Sequence, residues 1–128
     1  MDKSTTLELL NFILESIRLI HRRFEIINCG DDFLENDDGL DRLDAISMRI
    51  QSIGEALKNL YKREESLLLQ VEDKNYWSTI IKARDFISHH YVDLDAETIF
   101  DICTNELNIL EENIKQLKSL CKTKALVL

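Results

Sequence analysis

No proline occurs in 128 residues, and glycine appears only at positions 30, 39 and 54. Proline and glycine are the residues that most effectively stop a helix. A chain that nearly lacks both is therefore read as all-α before any other feature is weighed. Apolar residues recur at three-and-four spacing in four segments, which gives the reading its elements. The first segment runs from about Ser4 to Asn28, with Leu7, Leu10, Ile13, Leu14, Ile17, Ile20, Phe24 and Ile27 on one stripe. Ser4 is its expected N-cap, and Gly30 follows where a helix C-terminus would want it. The acidic stretch "GDDFLENDDG" connects it to a second helix from about Leu40 to Glu64, with Phe33 and Leu34 expected to pin the connection to the body. The second stripe is Leu43, Ile46, Ile50, Ile53, Leu57 and Leu60, and Gly54 within it implies close approach of a neighbouring helix.

After a looser stretch, roughly 65–74, "NYWSTIIKARDFISHHY" forms a third helix, and a fourth starts at "DLDAET" with Asp95 as N-cap. Its stripe is Ile99, Ile102, Leu107, Leu110, Ile114 and Leu117, with lysines gathered at the far end where the helix dipole is negative. Four amphipathic helices with short connections make an antiparallel helical bundle. The length suits a single domain over 1–128, with a core of 4–121 and a tail, 122–128, expected to be loose or a partner contact.

The net charge of −8 argues against a general nucleic-acid coat protein, although a local RNA site needs only a few cations. Cys29, Cys103 and Cys121 are odd in number and widely spaced, so no disulfide framework is expected and a reducing, cytoplasmic compartment fits. No apolar run approaches the ~18 residues of a membrane span, and "MDKSTTLELL" lacks the order of a signal peptide.

The polar end of the third helix, "RDFISHHY", concentrates the chemistry. At about 100° per residue, Trp77, Ile80, Ile81, Ile87 and Tyr91 share one face, and Arg84 falls in the middle of it. A guanidinium there must be paired, and a salt bridge to Glu55 on the second helix is as compatible with the geometry as a functional site. Asp85 and His89 stand four apart on another face, close enough to hydrogen-bond, or simply a solvated polar pair. Arg84 and His89 lie about 140° apart on a continuous helix, so one straight helix does not bring them together. Either the helix distorts near His89 or a second copy completes the site. His89 and His90 point about 100° apart and have no supporting ligand cluster, so no metal is expected. His21, in "RLIHRRFE" with Arg18, Arg22 and Arg23, is read as a surface residue. If that run faced the third helix or a dimer partner, it could supply charge for phosphate binding.

The pattern Arg84, four residues, His89, one residue, Tyr91 resembles the signature of the HepT-like toxins of the HEPN superfamily. "SIGEALKNL" resembles the Gly-Glu-Ala segment of that family. "WSTIIKARDFISHHYVDLDAETIFDI" resembles its stretch of a Trp, the motif and an acidic cap before the last helix. The likeness covers roughly residues 7–117. It implies an all-α, HEPN-like bundle that forms a homodimer and acts as a metal-independent endoribonuclease without a cofactor, with Arg84 and His89 catalytic and Asp85 in support. It also implies a type VII-like toxin-antitoxin pair. In such a pair an MNT-type nucleotidyltransferase antitoxin silences the toxin by transferring AMP to the motif tyrosine, here Tyr91. Where many members carry Glu between the His and the Tyr, this chain has His90. The alternatives are a catalytically silent HEPN-type module that binds a nucleotidyltransferase or a nucleotide, and a plain helical dimer serving as an adaptor.

Overall fold

The computed structural model describes the backbone of residues 3–89 and 95–127, and the side chains of 5–83 and 95–123. Among the described residues there are helices and turns and no strand, so the chain is an all-α bundle. Helix α1 spans Lys3–Phe24, α2 Asp37–Arg63, the single turn α3 Glu65–Leu68, α4 Lys74–His89, α5 Ala96–Asp101 and α6 Leu107–Val127. A π-helical turn, Ile102–Glu106, joins α5 to α6, so the expected fourth helix is one continuous helical run from Ala96 to Val127. That run includes residues 122–127, the stretch expected to be loose.

The four apolar stripes meet in one core. Leu10, Ile13, Ile17 and Ile20 of α1, Ile46, Leu57 and Leu60 of α2, Trp77 of α4, Ile99 of α5, and Ile114 and Leu117 of α6 are fully enclosed. Helix α2 is the central element, packed along α1 on one side and α4 on the other, while α1 also packs on α6. Tyr61 lies beside Lys74 and Ser78, whereas Ile50 and Ile53 lie beside Thr79 and Ala83, so α2 and α4 run antiparallel.

Several helix ends differ from the expectations. Lys3 opens α1, which puts Ser4 inside the helix rather than at its cap. Helix α1 stops at Phe24, because the Asn28 amide donates to the Asp32 carboxylate (2.7 Å) instead of continuing the helical ladder. Gly30 therefore opens a 3-10 turn, Gly30–Leu34, in which Phe33 is buried but Leu34 is 56% exposed and pins nothing. Helix α2 begins three residues before Leu40. The Asn36 side chain accepts from the Gly39 amide (2.8 Å) and is the N-cap, with Asp37 and Asp38 at the positive end of the helix dipole. Gly39 is helical; a Cβ there would press on the carbonyl oxygens of Asp32 and Phe33, so glycine lets the 3-10 turn lie against α2.

Candidate functional site

Helix α4 is tied down at its start. The Asp73 carboxylate accepts from the Tyr76 amide (2.8 Å), an N-cap contact. The Trp77 side chain is fully buried, and its indole N–H donates to the carbonyls of Leu68 (3.0 Å) and Glu72 (3.2 Å). One side chain thus fills the core and closes the loop between α3 and α4. From this anchor α4 continues along α2 to His89.

Arg84, Asp85 and His89 lie on the last turns of α4, and their side chains are outside the described residues, as are His90 and Tyr91 entirely. The backbone nonetheless resolves one question. Helix α4 is α-helical through His89, so the distortion considered from sequence does not occur before that residue. Arg84 and His89 are five residues apart on it, about 140° around the axis and about 7.5 Å along it. Glu55 is exposed on α2, where it lines a shallow groove with Leu9, Phe12, Ser52, Ala56 and Asn59.

The turn just before Arg84 faces an apolar cleft of about 250 Å³. Ala83, Ile80 and Thr79 of α4 form one wall, Ile50 and Ile53 of α2 the second, and Ile102, Glu106, Leu107 and Leu110 the third. The third wall contains the π-helical turn. Such turns insert a residue into a helix and recur at functional sites. Here the turn buries Cys103 and leaves Ile102 partly exposed, the reverse of the stripe read from sequence. Burial pushes the Cys103 thiol up to about 12, so it carries almost no thiolate at neutral pH and is not a nucleophile. All three cysteines are free, with Cys29 exposed and Cys121 buried.

The basic run of α1 does not face α4. His21 Nε2 lies 3.7 Å from Glu111 Oε1 on α6, Arg18 forms a two-pronged pair with Glu15, and Arg22 and Arg23 border α2. Among the described residues, no group of His, Cys, Asp and Glu side chains is placed to hold a metal ion. No helix among them is long and apolar enough to cross a membrane.

No solved structure matches the chain. The family model described as "Ribonuclease HepT-like" matches residues 13–117, from the middle of α1 into α6, and so takes in all of α4 with the Arg84, His89 and Tyr91 positions. With an all-α bundle and a family match over most of its length, the chain belongs to the HepT-like ribonuclease family.

Proposed function

We propose that the protein is the toxin of a toxin-antitoxin pair and cleaves RNA without a metal ion, using Arg84 and His89. The observation that carries this reading is the family match, which spans a chain keeping Arg84, His89 and Tyr91 in the motif's spacing, the first two on the last turns of α4. The reaction needs a base to take the 2′-OH proton, a cation to hold charge on the phosphorus centre, and an acid for the departing 5′-oxygen. The 2′-oxygen attacks phosphorus, the bond to the 5′-oxygen breaks, and the products are a 2′,3′-cyclic phosphate and a 5′-hydroxyl. His89 suits the proton transfers, because an imidazole can both accept and donate a proton. Arg84 suits the phosphate, because its planar fork can hold two oxygens at once. Asp85, four residues before His89, is the residue assigned to orient the imidazole.

The course of α4 favours a homodimer. Two groups about 140° apart on one regular helix do not converge on one phosphate, but two copies of α4 brought together can offer the Arg84 of one and the His89 of the other. Tyr91, two residues past His89, is the silencing position. An AMP group added there by a nucleotidyltransferase antitoxin puts a negative charge and a bulky nucleoside beside the site and repels the RNA backbone.

The test is cleavage of labelled RNA by the purified protein in EDTA, with the new ends read by mass spectrometry. Cyclic phosphate ends are expected, and Arg84→Ala or His89→Ala is expected to slow cleavage by about 10²–10⁴-fold. Cleavage that requires a divalent ion, or that survives both substitutions, refutes the proposal. Tight binding to a nucleotidyltransferase with no cleavage at all would instead support the silent module.

A further inference from the structure

Six of the seven arginines, Arg18, Arg22, Arg23, Arg42, Arg49 and Arg63, lie on the two helices α1 and α2. Three of them, Arg22, Arg23 and Arg42, surround an open cleft of about 280 Å³ between the end of α1 and the start of α2, completed by Asp41 and Ala45. We propose that this cleft holds the phosphodiester backbone of the RNA. The proposal rests on the reading of the chain as a ribonuclease and gives its substrate a path.

Two of the three guanidiniums have no carboxylate partner among the described residues. The third, Arg42, is held in place: Nε donates to Asp38 Oδ2 (2.8 Å) and Nη1 to the Arg23 carbonyl (3.0 Å). A guanidinium has five N–H groups, so these two bonds orient it and leave three. Asp38 is thereby engaged with Arg42, and Asp41 is the one carboxylate lining the cleft, so three guanidiniums stand against two carboxylates. Ala45 leaves the floor open where a longer side chain would fill it. Basic residues are common in the last turn of a helix because of the dipole, which accounts for Arg22 and Arg23 on α1. It does not account for Arg42, which reaches the same opening from the first turns of α2.

The cleft is at the right end of the bundle. Ala83 of α4 sits beside Ile50 and Ile53 of α2, and the two helices are antiparallel. His89 is six residues beyond Ala83, about 9 Å further towards the start of α2, and Arg42 is eight residues before Ile50, about 12 Å in the same direction. The proposed catalytic histidine and the arginine cleft are therefore near one level of the bundle, on opposite flanks of α2. A strand crossing the end of α2 can touch both.

The test uses the full chain carrying His89→Ala, so that binding is read without cleavage, and a fluorescein-labelled single-stranded 12-mer RNA followed by anisotropy from 50 to 200 mM salt. Arg22→Gln/Arg23→Gln is compared with Lys62→Gln/Arg63→Gln, an equal charge change at exposed positions on the far end of α2. Circular dichroism checks that both variants are folded. The cleft variant is expected to bind on the order of tenfold more weakly at 100 mM salt, and its log–log salt slope is expected to be shallower by about 1.4, from about 0.7 per lost phosphate contact. The far-end variant is expected to match the parent in slope. Equal behaviour of the two variants, or no RNA binding by the parent, overturns the proposal, including where the cleft variant loses only the grip on an acidic protein partner. Cleavage by the wild-type chain is measured separately. If it cleaves while the two variants bind alike, the cleft is wrong and the ribonuclease stands; if it never cleaves while the cleft variant alone loses RNA, the reverse holds.

Discussion

Replacing Trp77 by Phe tests what holds the motif-bearing helix in place. The indole is fully buried and its N–H bridges the Leu68 and Glu72 carbonyls. Phenylalanine fills most of the site but leaves the space of the missing ring atoms and donates nothing. The Leu68 carbonyl still accepts from the Val71 (3.0 Å) and Glu72 (3.2 Å) amides, so it is not stranded. The hydrogen-bond loss is therefore about 1 kcal/mol rather than the larger cost of a buried unpaired group. The cavity and the lost contacts add about 1–2 kcal/mol. The sum, about 2–3 kcal/mol, corresponds to a fall in Tm of roughly 8–12 °C for a domain of this size. Urea unfolding followed by circular dichroism at 25 °C measures it directly, with the midpoint falling and the slope unchanged. A change under about 0.5 kcal/mol would show that the loop between α3 and α4 does not depend on this side chain, and the account of how α4 is anchored would fail.

Two further outcomes follow from the helix ends. Gly39→Ala should destabilise the protein by about 1–3 kcal/mol in the same urea experiment, because the new Cβ would stand 2.8 Å from the Phe33 carbonyl oxygen. A glycine inside an unhindered helix would give the opposite sign, a gain of about 1 kcal/mol, and that result would refute the close approach. Asp95 accepts from the Thr98 hydroxyl (2.9 Å) and the Glu97 amide (3.0 Å), which hold its carboxyl below the usual aspartate range. A depressed folded pKa means that the unfolded chain takes up the proton first. The stabilisation is thus complete above the ordinary aspartate pKa and is lost as pH falls through the folded value. Asparagine caps as well but does not titrate, so Asp95→Asn should lose less stability than the wild type between pH 5 and pH 3, with equal losses refuting the assignment.

The bundle was legible in the sequence because burial imposes a period that residue type reveals. Every member of the α2 stripe from Leu43 to Leu60 is buried, and the Asp95 cap sits where an acidic residue precedes an apolar run. What the sequence hid was decided by contacts between segments. Nothing local says that the Asp32 carboxylate will take the Asn28 amide and end α1 early, although Ile27 extends the stripe and is buried. Nor does anything local say that Gly39 is helical, since its role depends on the turn folded against it. The π turn is hidden for a related reason. It moves burial from Ile102 to Cys103, and both are apolar enough to fit the pattern. At the candidate site, the motif could be named from its spacing. The arginine cleft could not, because Arg42 is nearly twenty residues from Arg23 and only the α1–α2 packing joins them.

The acidity of the chain then bears on how such a nuclease would select RNA. At a net charge of −8, most of the surface repels a polyanion, and the repulsion weakens as salt rises. The attraction proposed for the cleft comes from three guanidiniums, so the gain from releasing counterions there is correspondingly small. An enzyme built this way holds RNA weakly and depends on where the strand lies rather than on total charge. An added negative group near His89 would act where attraction is concentrated, and a single modification could outweigh the few contacts there. For the silencing proposed at Tyr91 this supplies a physical reason: RNA held by few contacts is released by one added charge beside them.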